Sequence, residues 1–231
     1  MKKHKIKSLF ISDIHIGCGH NNISSVLSVL NHYKYDNLYL LGDIVDGWRL
    51  RKKWRWKPEY GDFIEKLTEL KADGVNVVYI TGNHDDFLRK FCPLELNLCT
   101  IKNEHIRDGI LMIHGDIFDR YIYNKKWIYF FGDFAYNILI FGDRLLRMGG
   151  TVSKRIKKIV KSKVNYLNDF YSAANAYTKS KKCHTLICGH THMQEYRELK
   201  DIKYFNCGDF REDAEYIIET ENGNLLTLRW K

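Results

Sequence analysis

The alternation of short apolar runs with segments of helical periodicity constrains the fold of this chain more than any other feature. The runs at residues 8–12, 37–41 and 75–81 have the length and composition of buried strands. Residues 23–33 and 59–72, which lie between them, carry apolar side chains at helical spacing. The order strand, helix, strand, helix, strand predicts an α/β fold with a parallel sheet covered by helices.

The second half of the chain follows a different pattern. Strand-like pieces at residues 99–107 and 110–114 precede a long helical stretch, and closely spaced strands return from residue 185 onward. With 231 residues, 45% of them apolar, and only two prolines, the chain is neither disordered nor rich in linkers. We therefore predict a single domain over residues 1–231, with a helical insertion at residues 120–182.

The sequence shows neither a signal peptide nor a membrane span. Its basic start is not followed by a small-residue cleavage site, and its most apolar window, residues 127–141, is shorter than the roughly 20 residues of a spanning helix. Its six cysteines form no CxxC pair, which fits a reducing compartment. We expect a cytoplasmic protein, and peripheral contact with the inner face of the cytoplasmic membrane stays open.

Five polar clusters follow apolar runs. They are Asp13-Ile14-His15, Gly42-Asp43-Ile44-Val45-Asp46, Gly82-Asn83-His84-Asp85, His114-Gly115-Asp116 and Gly189-His190-Thr191-His192. Because α/β sheets place ligand sites at the carboxyl ends of their strands, we expect these clusters to meet. Their carboxylates, imidazoles and amide oxygen suit a pair of divalent ions such as Mn²⁺, Fe²⁺, Zn²⁺ or Mg²⁺. Two such ions about 3.5–4 Å apart activate water and hold the oxygens of a phosphoryl group.

In this order the five clusters resemble the signature of the calcineurin-like metallophosphoesterase family: D-x-H, G-D-x-x-D, G-N-H-D/E, a lone His, and G-H-x-H. The resemblance implies the family's sandwich of two mixed β-sheets with helices outside. It implies two bound divalent ions, with Mn²⁺ expected first. It also implies seven metal ligands, namely Asp13, His15 and His192 for one ion, Asn83, His114 and His190 for the other, and Asp43 as the bridge.

The resemblance assigns catalytic roles to His84 and Asp46. It implies that His84, oriented by Asp46, protonates the leaving group or stabilises the charged transition state. A carboxylate that holds an imidazole fixes its tautomer and raises its basicity, which suits a proton donor. The alternative for Asp46 is a cap on the following turn. For Asp116, Asp119 and the segment 206–209, support of the ligand imidazoles and simple turns both stay open.

The segment that follows Asp46 is basic and aromatic. Residues 48–57 contain six cations and three tryptophans. Arg and Lys side chains hold diphosphates, while Trp stacks on a base or contacts lipid, so we predict that Trp48, Arg49, Arg51 and Asn83 contact the substrate. A solvated surface is the alternative.

The net charge of +9 is unevenly distributed. Residues 120–182 contain 14 Lys plus Arg and 3 Asp plus Glu, a net of +11, which leaves 23 and 25 in the rest of the chain, a net of −2. Within the insertion, residues 152–167 place apolar side chains on one helix face and cations on the others. We expect a positively charged lid that faces acyl chains or an anionic membrane surface. A helical hairpin packed on its own core is the alternative.

The sequence around the clusters resembles that of a more specific group of proteins within this family. G-D-I-V-D-G-W followed by cations, G-N-H-D-D-F-L-R, H-G-D-I-F-D and N-C-G-D are similar to bacterial UDP-2,3-diacylglucosamine diphosphatase-like proteins. This similarity implies hydrolysis of UDP-2,3-diacylglucosamine, a nucleotide-linked acylated sugar of lipid A biosynthesis, to UMP and 2,3-diacylglucosamine 1-phosphate. A metallophosphodiesterase or nuclease acting on nucleotides or single-stranded nucleic acid is a less favoured alternative. A non-catalytic membrane-associated scaffold is an alternative of another class.

Overall fold

The computed structural model describes residues 4–19, 22–119 and 151–231, and the backbone alone for residues 151–165. In chain order, the strands of the described part are β1 (His4–Lys5), β2 (Ser8–Ile11), β3 (Tyr33–Lys34), β4 (Asn37–Leu41), β5 (Asn76–Ile80), β6 (Leu94–Glu95), β7 (Thr100–Lys102), β8 (His105–Arg107), β9 (Ile110–Met112), β10 (Thr185–Cys188), β11 (Glu195–Glu198), β12 (Lys203–Asn206), β13 (Glu215–Glu219) and β14 (Leu225–Arg229). The helices are α1 (Ile23–His32), α2 (Gly47–Lys52), α3 (Pro58–Ala72) and α4 (Thr151–Ser180), with a 3₁₀ helix at Asp86–Phe91.

Two mixed β-sheets dominate the fold. The larger has the strand order β14-β13-β2-β4-β5-β7-β6, and the smaller has the order β11-β12-β10-β9-β8. The strands β2, β4 and β5 are parallel to one another, as are β9, β10 and β12. A further pair, β1 with β3, is parallel. The prediction of an α/β sandwich of two mixed sheets is confirmed, and the three predicted early strands correspond to β2, β4 and β5.

One predicted strand region is divided between the sheets. The sequence indicated strand-like structure throughout residues 99–107, but β7 pairs with β5 in the larger sheet and β8 pairs with β9 in the smaller one. The chain crosses from one sheet to the other between Lys102 and His105. Local periodicity predicts extended backbone but does not identify the pairing partner, so this crossing was missed.

Alternate residues of the central strands pack on opposite faces of the larger sheet. Leu9 and Leu38 belong to a core cluster that includes residues of α1 and α3, such as Val26 and Phe63. Phe10 and Tyr39, the next residues along these strands, belong to a second core cluster. That cluster also contains Met112, Ile187 and Phe205 of the smaller sheet. Because successive strand side chains point to opposite faces, continuous apolar runs let one sheet pack on helices and on a second sheet.

Contacts divide the chain into two compact units, Met1–Asp116 with Thr178–Lys231, and Ile117–Tyr177. Within the second unit, Phe118 packs edge-on against Phe170, with ring centroids 5.1 Å apart. Helix α4 lies within the predicted insertion, whose limits at residues 120 and 182 stay a prediction. The apolar window at residues 127–141 and most side chains of the amphipathic stretch 152–167 fall outside what the structure describes. In the described part of the chain, no helix has the length and apolarity needed to cross a membrane.

Candidate metal centre

The predicted ligands follow the carboxyl ends of parallel strands in both sheets. Asp13 and His15 follow β2, and Asp43 follows β4, in the larger sheet. His114 follows β9 and His190 follows β10, in the smaller sheet. The loops from the two sheets meet directly, because His114 Nδ1 lies 2.8 Å from the carbonyl oxygen of Leu41 and the His190 amide donates to Asp13 Oδ2 at 3.2 Å.

These loops hold an unusual backbone conformation. Among the described residues, eight residues other than glycine have positive φ, and five of them are predicted ligands: Asp13 at 55°, His15 at 52°, Asp43 at 52°, His190 at 69° and His192 at 55°. Non-glycine residues rarely adopt this region because of clashes involving Cβ. Local backbone strain concentrates at functional sites, where the surrounding structure maintains it. Its concentration here supports a function for these loops.

Two glycines allow the loops to approach one another. A Cβ atom on Gly42, whose φ is +83°, would lie 2.4 Å from His114 Nδ1. A Cβ atom on Gly189 would lie 2.4 Å from Asp13 Oδ2. Both distances are far shorter than van der Waals contact, so the close approach of loops from the two sheets requires glycine at these positions.

Asp13, His15 and His192 form the first cluster of possible metal ligands, with one ligand atom of each within 4.8 Å of the others. Asp13 Oδ1 lies 3.4 Å from His192 Nε2 and 3.9 Å from His15 Nε2. Behind this cluster, His192 Nδ1 lies 2.7 Å from Asp209 Oδ2. A carboxylate on the far nitrogen directs Nε2 of His192 toward the cluster.

Asp43 lies at the centre of the site. Its Oδ2 atom is 3.4 Å from His114 Nε2 and 3.9 Å from Nε2 of both His15 and His84. Asp13, Asp43 and His114 form another cluster of possible ligands, and His15, Asp46 and His84 form a third. The His190 ring lies edge-on to His114 with centroids 5.1 Å apart. Asp43 Oδ2 thus lies within 3.9 Å of imidazole nitrogens from three loops, and its role as a bridging carboxylate stays a prediction.

The Asp46 side chain both caps a helix and lies close to His84. Its side chain caps α2 by accepting a hydrogen bond from the Arg49 amide at 2.9 Å. The same carboxylate has Oδ1 at 3.2 Å from His84 Nδ1 and Oδ2 at 3.7 Å from His15 Nδ1. Asp46 is buried while His84 is partly exposed, so a fixed carboxylate lies behind an accessible imidazole.

The buried polar atoms of the site fit divalent ions. Asp13 Oδ1, Asn83 Oδ1 and His114 Nε2 are buried and have no hydrogen-bond partner within the described ranges. Leaving such atoms unpaired costs free energy, and bound cations remove that cost. The donors are nitrogen and oxygen atoms, as borderline and hard divalent ions prefer. We conclude that the predicted ligand set fits metal ions.

The electrostatics of the cluster lead to the same conclusion. Burial alone lowers the pKa of His114, but the neighbouring Asp43 carboxylate raises it to about 10. Burial alone raises the pKa of Asp43, but the His114 imidazole brings it well below its usual range. The high pKa of His114 reflects a negative potential in the centre of the site, and the same potential favours binding of a cation.

Two supporting residues, Asp85 and Arg89, were not predicted as site residues. The buried Asp85 accepts hydrogen bonds from the amides of Ile44, at 3.1 Å, and Gly82, and thereby joins the loops after β4 and β5. Arg89 donates to Asp116 Oδ1 at 2.8 Å and to the Thr81 carbonyl at 3.3 Å. Asp85 was visible in the sequence as part of a polar cluster, but Arg89 carried no local signal.

The structure also bears on Asp116, Asp119 and the segment 206–209, whose supporting roles the sequence left open. The Leu41 carbonyl, rather than Asp116 or Asp119, pairs with His114 Nδ1. Asp119 instead accepts a hydrogen bond from Tyr166. Asp209 supports His192, so the turn after β12 contributes to the site. The sequence had left these roles open because turn residues and supporting carboxylates have the same local pattern.

The predicted substrate contacts lie at the edge of the site. The exposed Trp48 ring lies 4.5 Å from the His84 ring, centroid to centroid. Arg49 Nε is 3.4 Å from Asp46 Oδ2, and Arg51 is exposed on α2. Asn83 directly precedes His84. Contact of these residues with a substrate stays a prediction.

The family of the protein follows from its sequence. Residues 6–194 match the family model for calcineurin-like phosphoesterases. The chain therefore belongs to the calcineurin-like phosphoesterase family. The resemblance expected from the five clusters is thereby confirmed.

Individual relatives share little sequence identity with this chain, or match only part of it. UDP-2,3-diacylglucosamine hydrolase of Porphyromonas gingivalis is 28% identical over 98 residues, which cover 39% of this chain and 37% of that protein. A Streptococcus pneumoniae protein described as a predicted phosphoesterase is 12% identical, with a TM-score of 0.45 and coverage of 97% and 98% of the two chains. Vps29 of Chaetomium thermophilum is 11% identical, with a TM-score of 0.48 and 96% coverage of both chains. The match to the curated relative thus spans little more than a third of its length.

Proposed function

We propose that this phosphoesterase cleaves the diphosphate of UDP-2,3-diacylglucosamine to give UMP and 2,3-diacylglucosamine 1-phosphate. The observation that carries the hydrolytic chemistry is the convergence of three imidazoles on Asp43 Oδ2, within 3.9 Å. The choice of substrate is supported by the partial similarity to the P. gingivalis hydrolase and by the cationic, aromatic segment beside His84. This substrate has a nucleotide, a diphosphate and two acyl chains.

Metal ions, with Mn²⁺ as our first expectation, fit the seven predicted ligands. When bound, such ions supply Lewis-acid stabilisation of charge on phosphoryl oxygens. Asp13, His15 and His192 hold one ion in our proposal, Asn83, His114 and His190 hold the other, and Asp43 is shared. Asp209 keeps His192 oriented, because it occupies the imidazole nitrogen that faces away from the cluster.

His84 acts as the proton donor in this mechanism. Its Nδ1 faces Asp46 at 3.2 Å, while its Nε2 faces the site, 3.9 Å from Asp43 Oδ2. With the Asp46 carboxylate 3.2 Å from Nδ1, the proton on Nε2 is available to the departing phosphate oxygen, while a water molecule supplies the oxygen that replaces it on phosphorus. The partial exposure of His84 leaves this nitrogen accessible to a substrate.

In this proposal, residues around His84 bind the nucleoside and the diphosphate of the substrate. We propose that Arg49 and Arg51 pair with the diphosphate, that Asn83 contributes an amide contact, and that Trp48 stacks against the nucleoside. The acyl chains are assigned to the insertion at residues 120–182, whose cationic character also suits an anionic membrane surface. This assignment comes from the sequence of that segment.

A panel of hydrolysis assays with Mn²⁺ tests the proposal. It contains UDP-2,3-diacylglucosamine, a dinucleoside polyphosphate, a cyclic nucleotide and a short DNA strand. We expect turnover of the lipid-linked nucleotide alone, with loss of turnover in Asp43→Asn and in chelator-treated protein. Asp62→Asn, on the exposed face of α3, is the matched control and should keep full activity. Hydrolysis of DNA with steep salt dependence would instead identify a nuclease.

A further inference from the structure

An exposed aromatic surface lies beside the metal centre. It consists of Trp48, Trp54 and Trp56, with Phe87 of the 3₁₀ helix, and we call these four residues the aromatic surface. Trp54 is 72% exposed, and Trp48 and Phe87 are each 50% exposed. The Phe87 ring packs directly over Gly47, so the 3₁₀ helix contacts the segment that carries the tryptophans. Single exposed apolar residues are ordinary, but a group of large aromatics indicates an interaction site.

The segment that carries the tryptophans has an unbalanced positive charge. Residues 47–57 contain six cations and no acidic residue. Arg49 pairs with Asp46. Within the described ranges, Arg51, Lys52, Lys53 and Arg55 form no ion pair. The aromatic surface therefore carries cations whose charge is available to an external anionic partner.

This surface is attached to the loops of the metal centre on two sides. Trp48 lies against His84, as described above. On the other side, Arg55 lies beside Gly19, and the Tyr60 hydroxyl, which belongs to α3, donates to the Cys18 carbonyl at 3.4 Å. Cys18 and Gly19 follow the ligand His15 by three and four residues. A partner that binds the aromatic surface therefore lies at the rim of the catalytic site.

We propose that the aromatic surface docks on an anionic lipid bilayer, with Trp54 and Trp56 in the interfacial layer and the cations of residues 52–57 on the headgroups. Trp at the membrane interface combines an apolar ring with a hydrogen-bonding N–H, and nearby cations add attraction to anionic lipid. The inference rests on the proposed function, because a diacylated substrate is supplied from a membrane.

The arrangement of the tryptophans favours a bilayer over single-stranded nucleic acid. Trp54 and Trp56 stack on each other, with centroids 5.8 Å apart and an interplanar angle of 14°. Trp56 also meets Tyr60 edge-to-face at 5.4 Å. Binding of single strands uses free ring faces on which successive bases stack. Here each tryptophan has one face occupied by the other, whereas interfacial insertion requires only exposed apolar area and cations.

Vesicle flotation with the full chain tests this inference. The probes are vesicles of phosphatidylcholine alone and of phosphatidylcholine with phosphatidylglycerol. We expect binding to the anionic vesicles, weakened by salt, and about ten-fold weaker binding for Trp54→Ser with Trp56→Ser. The matched control is Tyr196→Ser, an exposed aromatic on β11, which should bind as the unaltered protein does. Circular dichroism verifies that each variant is folded.

Three results would overturn the inference. They are absence of binding to anionic vesicles, equal binding by the tryptophan variant and the Tyr196 control, and displacement from vesicles by a short oligonucleotide that itself binds more tightly. Turnover of UDP-2,3-diacylglucosamine in detergent micelles is measured in parallel. Vesicle binding without micellar turnover would contradict the proposed function alone, whereas micellar turnover without vesicle binding would contradict the docking inference alone.

Discussion

His84 differs from the predicted ligand His114 in its surroundings. The His84 ring is partly exposed, as is that of the predicted ligand His192, and its Nδ1 lies 3.2 Å from the buried Asp46 carboxylate, whereas His114 is fully buried with Nε2 3.4 Å from Asp43 Oδ2. This contrast is expected if His84 transfers a proton to the substrate while His114 binds an ion. The difference is local to the side chains and can be tested one residue at a time.

Replacement of His84 by Ala should separate catalysis from metal binding. We expect kcat to fall by about 10²–10⁴, because a positioned general acid contributes that much. The number of Mn²⁺ ions bound, measured by metal analysis after gel filtration, should stay unchanged. His32→Ala, a histidine at the end of α1, is the control for both measurements. Loss of Mn²⁺ together with activity would show that His84 is a ligand.

Asp209 is the carboxylate that orients His192. Replacement by Asn should weaken Mn²⁺ binding by about 10–100-fold, the effect usual for groups that support a metal ligand. The amides of Arg211 and Glu212, which donate to Asp209 Oδ1, keep an acceptor in the Asn variant, so the turn should remain folded. Isothermal titration with Mn²⁺ measures the change, and the exposed Asp213→Asn serves as control. Equal affinities of the two variants would exclude this role for Asp209.

At the scale of elements, a polar cluster joins the two sheets through β2, β4, β8 and β13. Ser8 donates to Glu219 Oε2 at 2.7 Å, and Lys7 Nζ lies 3.0 Å from Glu219 Oε1. Arg107 pairs with Glu219 and also donates to the Tyr39 hydroxyl at 3.0 Å. The cluster thus satisfies a carboxylate that is almost completely buried.

The pKa of Glu219 gives this cluster a pH-dependent contribution to stability. Burial raises that pKa, but the donors and cations around the carboxylate outweigh burial and lower it. Because the folded pKa lies below the unfolded value of about 4.3, the stabilisation is complete above that value and is lost as pH falls through the folded pKa.

Glu219→Gln should lower the free energy of unfolding at pH 7 by about 1–3 kcal/mol. The difference from the unaltered protein should shrink as pH falls below about 4. Urea denaturation across a pH series measures it. Glu221→Gln, an exposed neighbour, should change stability little at any pH. A Glu219→Gln difference that persists undiminished at low pH would refute the linkage.

At the scale of the whole molecule, the metal centre joins the two sheets. Its residues come from loops after β2, β4 and β5 of the larger sheet and after β9 and β10 of the smaller one. If ions bind to both sets of loops as proposed, they stabilise the folded state over the unfolded chain, in which the ligands are far apart.

Removal of metal should therefore lower the melting temperature. At a free Mn²⁺ concentration about a hundred times the Kd, binding contributes about 2.7 kcal/mol, or about 5–10 °C for a chain of this size. Calorimetry with chelator and after addition of Mn²⁺ measures the shift. The Asp43→Asn variant should show a much smaller Mn²⁺-dependent shift. An unchanged melting temperature in the unaltered protein would argue against ions that join the two sheets.

The sequence by itself determined the α/β class, the positions of β2, β4, β5, α1 and α3, the five polar clusters and the family. These features are predictable because periodicity and short motifs depend on neighbouring residues. The apolar run before Asp43, for example, predicted both β4 and the loop at its carboxyl end.

Only the tertiary structure decided which distant segments meet. It paired β13 with β2, divided residues 99–107 between the sheets, and placed Asp209 behind His192 and Arg107 against Glu219. Arg107 and Glu219 are 112 positions apart, and nothing in either local sequence identifies the other. Such contacts depend on the packing of complete sheets, so they are absent from any local pattern.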